Sequence, residues 1–332
     1  MLTVDVEMPV MNGVELLTEL MRTRPTPVVV LSSLTGQGGE TSIRCLELGA
    51  VACLQKPSGS ISLDIEQIGP DIVLAVKAAA RADRGRLRAV VSPAGAVAAA
   101  LRPISAAPTA PKSADGEPLD PTDAVVLIAS STGGPGALQR VVPRLPADLP
   151  AAVLMVQHLP VGFTKPLADR LNASSQLAVR EATEGDEPRR GLVLIAPAGT
   201  HMEMSSAGRL HMNQDPPIWG VRPAADVTFT TVAGRFQRRV VGAVLTGMGR
   251  DGALGAKAVR DNGGVCFAQD EATSVVWGMP RAAHEIGAAD RLVPIDEIAQ
   301  AITEAVLAVK RRGERQDGRE TRVERIAASG LR

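Results

Sequence analysis

Apolar positions in this chain fall into short unbroken runs, each closed by a turn of small or polar residues. Residues 125–128, 152–157, 192–197 and 240–246 are almost wholly apolar. A strand reads this way when both faces of its sheet are covered, as in parallel α/β sheets. From 122 to 310 such runs alternate with helical stretches, including 137–142 and 252–261, so a doubly wound, mostly parallel α/β domain is expected. Residues 191–213 differ. There 192–197, 201–204 and 209–212 read as short strands around Ser205-Ser206-Ala207-Gly208, an antiparallel hairpin. Closer to the start, 2–4, 27–31 and 51–54 read as strands, and 13–22, 40–48 and 71–82 as helices, with Gly49 a good stop for the second. The pattern divides the chain into an α/β unit at 1–82, a Pro-, Ala- and Arg-rich linker at 83–121, a larger α/β domain at 122–310 and a charged tail at 311–332. The last helix is expected to span 295–311 and the tail to be disordered.

Composition narrows the picture. The 332 residues suffice for about two domains. Aromatic residues make up 2% of the chain and Tyr is absent, so Ala and Val must do the packing, in tight layers of helix on sheet. The formal net charge is zero, which gives no global field toward nucleic acid or an anionic membrane. Cys45, Cys53 and Cys266 are scattered without zinc spacing or a disulfide framework, which fits a reducing, cytoplasmic setting. No stretch reads as a signal peptide or a membrane-inserted segment.

The candidate chemistry lies where apolar runs stop. The run through Ile128 ends at Ser130-Ser131-Thr132-Gly133-Gly134 and a helix follows. A serine at a strand-to-helix turn presents its hydroxyl at the sheet edge, with free N–H groups of the helix beside it. The run 152–157 ends in His158-Leu159-Pro160, and 240–246 ends in Gly247-Met248-Gly249-Arg250-Asp251-Gly252. In an open parallel sheet, sites form at the carboxyl ends of strands. Ser131, His158 and Asp251 therefore read as nucleophile, base and orienting carboxylate. Blander roles stand beside these: Ser131 as a helix N-cap, Asp251 as the cap of the helix at 252–261, and His158 as the partner of a turn carbonyl. His201 reads as structural, His211 and His284 show no metal-ligand spacing, and Met202, Met204 and Met212 read as packing on the hairpin. Pro223 is expected in the first turn of a helix, after an Arg222 facing solvent or substrate.

Two resemblances follow from these motifs. Val4-Asp5-Val6-Glu7-Met8-Pro9 with Ser32 and Lys56-Pro57 resembles a receiver domain of two-component signalling. The resemblance implies a flavodoxin-like fold, Asp5 as phosphoacceptor, and Ser32 and Lys56 as switch residues. Ser131-Thr132-Gly133-Gly134, the segment from Gln157 to Thr164, Thr246 to Gly252, and Gly278-Met279-Pro280-Arg281 resemble the catalytic domain of chemotaxis protein-glutamate methylesterases. That likeness implies a serine hydrolase that demethylates glutamate γ-methyl esters, and deamidates glutamines, on methyl-accepting chemotaxis receptors. It gives Ser131, His158 and Asp251 the same triad roles, with backbone at Thr132 and Met248 forming the oxyanion site. It also implies a chemotaxis histidine kinase as phosphodonor, and no cofactor for ester hydrolysis.

The likeness departs from the receiver pattern at its start. The first strand with its Mg²⁺-binding acidic pair, the first helix and the second strand do not precede Asp5. The first unit is therefore expected to be a truncated receiver, unless translation begins upstream. Mg²⁺ is expected only if that segment exists, phosphorylation of Asp5 is expected to be inefficient, and the fragment is expected to dock imperfectly. Two other function classes compete. A nucleotide-binding module lacks support, because the turn at Ser131 carries neither G-x-G-x-x-G nor a Walker lysine. A DNA-binding response regulator lacks a helix-turn-helix and a basic surface.

Overall fold

The computed structural model describes residues 1–32, 36–56, 65–82 and 115–329. Residues 83–114 of the expected linker and Pro57 lie outside the described residues. The N-terminal unit is a three-stranded parallel sheet in the order β1 (Leu2–Asp5), β2 (Val28–Ser32), β3 (Ala52–Gln55). Helices α1 (Gly13–Thr23), α2 (Gly36–Glu47) and α3 (Ile65–Arg81) connect and follow the strands. α1 starts at a capping box. The Asn12 side chain accepts from Glu15 N–H at 2.9 Å and Glu15 accepts from Asn12 N–H at 3.0 Å. Its apolar positions then bury Leu17 and Met21. β1 is the sheet's edge, and Leu2 and Thr3 on it are exposed.

The larger domain is built on seven parallel strands in the order β14-β13-β12-β5-β6-β9-β7. These are β5 (Ala124–Ser130), β6 (Ala151–Gln157), β7 (Ala178–Glu181), β9 (Leu192–Ile195), β12 (Val240–Val244), β13 (Val265–Gln269) and β14 (Arg291–Val293). Every residue of β5 and β6 is buried, which explains their unbroken apolar sequence. Alternate side chains serve opposite layers. Val126, Ile128, Val153 and Met155 pack with α4 (Gly134–Val141), α5 (Thr164–Ser174) and α9 (Ile295–Ser329). Val125, Leu127, Leu154 and Val156 pack with α6 (Ala225–Phe236), α7 (Ala253–Asp261) and α8 (Met279–Glu285). The chain winds away from β5 in both directions, to β6 on one side and β12 on the other. That makes the carboxyl end of β5 the switch point of the sheet.

Several sequence expectations need correction. Residues 192–195 join the main sheet as β9, between β6 and β7, because their four apolar side chains are buried on both faces. The hairpin contains only β10 (His201–Met204) and β11 (Leu210–Asn213), with Met202 and Met204 buried. A further antiparallel pair joins β4 (Glu117–Pro118), within the expected linker, to β8 (Arg189–Arg190). Pro223 precedes α6 rather than sitting in its first turn, since Ala224 is the N-cap. The tail at 311–332, expected to be disordered, continues α9 to Ser329. Gly313 allows that helix to lie against Thr122, where a Cβ would come 2.7 Å from the threonine methyl. Lys310 adds ion pairs to Asp123 at 2.8 Å and Asp120 at 3.3 Å.

The N-terminal unit is packed on the larger domain. Val29, Val51, Ala75, Ala79 and Ala82 form one buried cluster with Val275 and Val276, and Met248 packs against it. On another side Glu47 of α2 pairs with Arg170 of α5 at 2.9 Å.

The α6–α7 crossing sets the larger domain's geometry near Asp251. A Cβ at Gly255 would lie 2.5 Å from Phe229 Cβ and 3.1 Å from Asp226 Cα, both held by helix backbone. Gly255→Ala is expected to force the helices apart and lower the unfolding free energy by roughly 1–3 kcal/mol. Urea unfolding measures this, and an unchanged midpoint would contradict it.

Candidate active site

Ser131 and His158 directly follow β5 and β6, and Asp251 lies in the loop between the neighbouring strand β12 and helix α7. Ser131 is half-buried, and its N–H donates to Thr246 O at 3.0 Å, which ties the turn after β5 to the loop after β12. The approach is close, because a Cβ on Gly247 would lie 2.9 Å from Ser131 Cβ. Ser131 is not the helix cap. That position belongs to Gly133, whose φ of 76° is the left-handed conformation glycine tolerates, and no side chain caps α4. The serine hydroxyl is therefore not committed to the helix, and it forms no hydrogen bond with His158 in this structure.

His158 Nε2 lies 2.8 Å from Asp251 Oδ2. The carboxylate accepts, so Nε2 carries the proton and Nδ1 keeps a lone pair. Asp251 is buried, and its charge is met by more than the imidazole. Oδ2 also accepts from Ala225 N–H at 2.6 Å, and Oδ1 from Asp226 N–H at 3.0 Å. Asp251 does cap a helix, but α6 rather than the helix that follows it in sequence. The helix N-terminus supplies partial positive charge where no Lys or Arg side chain bonds to Asp251.

Backbone donors complete the arrangement. Gly247 N–H donates to Val276 O at 3.0 Å, and Gly247 O accepts from Gly278 N–H at 3.0 Å and Met279 N–H at 2.9 Å. Among the described residues, the N–H groups of Met248 and Thr132 have no backbone acceptor. Met248 and Thr132 are half-buried, and Met248 borders the cluster made with α3.

With this geometry in place, comparison with known proteins decides the family. The CheB methylesterase family model matches residues 126–302, and the response regulator receiver domain model matches residues 1–65. The chain belongs to the CheB methylesterase family. A protein-glutamate methylesterase/protein-glutamine glutaminase of Symbiobacterium thermophilum is 49% identical over 92% of this chain and 83% of its own length. One from Pyrococcus horikoshii is 42% identical over 92% of this chain and 80% of its own. The crystal structure of the Thermotoga maritima CheB methylesterase catalytic domain is 40% identical, with a TM-score of 0.53, and covers 55% of this chain and 98% of that one.

The other residues singled out by sequence take clear places. His201 is buried and has no hydrogen bond to Ser131, His158 or Asp251. Its Nδ1 accepts from Ala224 N–H at 3.2 Å, so Nε2 carries the proton toward Pro216 O at 3.3 Å, a structural role. His211 is exposed and paired with Glu184 at 3.1 Å, which raises the imidazole pKa. Arg222 donates to the carbonyls of Gln214 and Asp215 at 2.7 and 3.0 Å, so it braces a loop. In the receiver unit, Asp5, Ser32 and Lys56 converge at the ends of adjacent strands. Lys56 forms an ion pair with Asp5, and Lys56 N–H donates to Ser32 O at 2.8 Å. Among the described residues no cluster of three or more metal-ligating side chains occurs. The three thiols are buried, and burial pushes Cys45 and Cys266 up to about 12 and Cys53 to about 11.

Sequence reasoning missed two residues beneath the site. Gln157, 1% exposed, accepts from the Ser130 hydroxyl at 2.6 Å and donates to Ser131 O at 2.9 Å and His158 O at 2.8 Å. It staples the turn at Ser131 to the turn at His158. Its signal in sequence is a lone amide ending a wholly apolar strand. Asp226, in the first turn of α6, accepts from Gly255 N–H at 2.7 Å and Trp219 Nε1 at 2.8 Å. Burial raises its pKa, and the nearby Asp251 charge adds to this. Gln157→Ala would leave a hydroxyl and two carbonyls without their partner. The expected result is a stability loss on the order of 3 kcal/mol and a fall in kcat, because the two turns lose their fixed spacing. Unfolding and steady-state ester hydrolysis test this, and a wild-type kcat would refute the positioning role.

Proposed function

We propose that this chain hydrolyses glutamate γ-methyl esters on methyl-accepting chemotaxis receptors, and deamidates glutamine side chains there, through a Ser131–His158–Asp251 triad. The observation that carries the reading is the His158–Asp251 bond beside a serine whose turn is tied across the sheet to Thr246. Relatives covering most of the chain bear the matching activity names.

The steps follow from the side chains present. Ser131 Oγ attacks the ester carbonyl carbon while His158 Nδ1 takes its proton. The carbonyl oxygen becomes an oxyanion facing the free N–H groups of Thr132 and Met248. Collapse breaks the carbon–oxygen bond to the methoxy group, which leaves as methanol with the proton from His158. Water, deprotonated by the same nitrogen, then cleaves the glutamyl–Ser131 ester and frees a glutamate carboxylate. With glutamine the leaving group is ammonia. Asp251 holds the tautomer and stabilises the imidazolium.

Regulation would work through the receiver unit at 1–82, with the larger domain at 122–310 carrying the catalysis. Asp5 would accept a phosphoryl group from a chemotaxis histidine kinase, and its Lys56 partner would reorganise around the new charge. The packing of α3 against Val275, Val276 and Met248 favours a receiver that restricts the cleft until displaced. A cytoplasmic location fits the substrate, and among the described residues no helix is long and apolar enough to cross a membrane.

Ser131→Ala is expected to abolish methanol release from methylated receptors, and His158→Ala to come close to that. Asp251→Asn is expected to fold but lose activity by a factor of about 10⁴, as the wrong tautomer is favoured. Methanol assays on purified receptor membranes test this. Turnover by Ser131→Ala at the wild-type rate would overturn the mechanism.

A further inference from the structure

We propose that Arg250 and Trp219 form a specificity element beside Asp251 that binds a carboxylate on the same receptor helix as the target ester. The inference rests on the esterase reading above and adds a recognition rule to it.

Trp219 is 50% exposed although it is one of only two tryptophans in the chain. It is held rigidly nonetheless. It lies in a turn closed by reciprocal backbone bonds between Ile218 and Val221, at 3.2 and 3.0 Å, and has a φ of 55°. Its indole Nε1 is anchored on Asp226 at 2.8 Å. Asp226 N–H in turn bonds Asp251, and Asp251 bonds His158. The exposed ring is thus placed by the same contacts that place the triad. A fixed, half-exposed indole is a common anchor for a protein partner.

The guanidinium of Arg250 lies over this ring, 5.3 Å from its centroid. Arg250 is exposed and directly precedes Asp251. Among the described residues it has no carboxylate partner. The nearby acids are occupied: Asp251 by His158 and two backbone N–H groups, Asp226 by Trp219 and Gly255. The ring contact places the guanidinium, and its N–H groups are available to a bidentate acceptor. A small ester would not need such a group, but a receptor helix would present one. Each turnover converts a neutral ester into a carboxylate, so a substrate with several sites carries negative charge beside those still methylated. Charge complementarity at Arg250 would direct the enzyme to such helices.

The test uses the full chain and two helical peptides, each with one glutamate γ-methyl ester. In one a glutamate lies a helical turn from the ester, and in the other a glutamine replaces it. For the acidic peptide, Arg250→Ala is expected to raise KM about tenfold with little change in kcat, the size of one charge-assisted contact. Arg250→Glu should raise KM further. Arg250→Lys should fall between wild type and Arg250→Ala, because the charge stays but the planar fork is lost. The glutamine peptide should cost wild type a similar factor and cost Arg250→Ala nothing more. Equal KM values for both peptides with wild type, or an unchanged KM in Arg250→Ala and Arg250→Glu, would overturn the proposal. Failure of the esterase reading looks different: peptide hydrolysis would then persist in Ser131→Ala.

Discussion

The structure around the site depends on one buried carboxylate. Asp251 accepts two backbone N–H groups at the start of α6 and the imidazole N–H of His158. An isolated buried carboxylate would be costly, and here three charge-assisted bonds and a helix N-terminus compensate. The same bonds join elements distant in sequence: the loop after β12, the first turn of α6 and the end of β6. Asp226 reciprocates from α6 by accepting Gly255 N–H in the first turn of α7. Asp251, just before α7, thus meets the start of α6, and Asp226 of α6 meets the start of α7, so the helix crossing fixes the place of Asp251.

The remainder of the site is carried by the sheet. Continuous apolar strands can be buried on both faces, so β5, β6 and β12 are rigid, and their carboxyl ends lie side by side. Small side chains let the turns above them approach closely. Gly247 meets Ser131, and Gln157 fits beside Gly134, where a Cβ would lie 1.9 Å from the amide oxygen. The scarcity of aromatic residues is consistent with this close packing of turns.

Much of this was legible in the sequence, and the reason is local. An apolar run with its terminating turn contains its own information, so the strands and the three residues beyond them could be read directly. Asp251's helix could not be, since its partner is Ala225, 26 residues away, and only the fold brings them together. Gln157 ends a strand in a way that sequence marks but does not interpret. The placement of residues 192–195 failed because four apolar residues do not say which sheet they join. The tail was misjudged because charge alone does not oppose a helix rich in Arg, Glu and Ala, and Gly313 docks on Thr122 far away in the chain.

On the proposed reading, Ser131 is a nucleophile whose base is His158, and Asp251 orients that base. Peptide mass spectrometry after brief exposure to a fluorophosphonate measures this directly. A single phosphonylated residue, Ser131, is expected, with labelling slowed by orders of magnitude in Asp251→Asn. An adduct on a different residue, or labelling of Ser131 at the wild-type rate in Asp251→Asn, would contradict it.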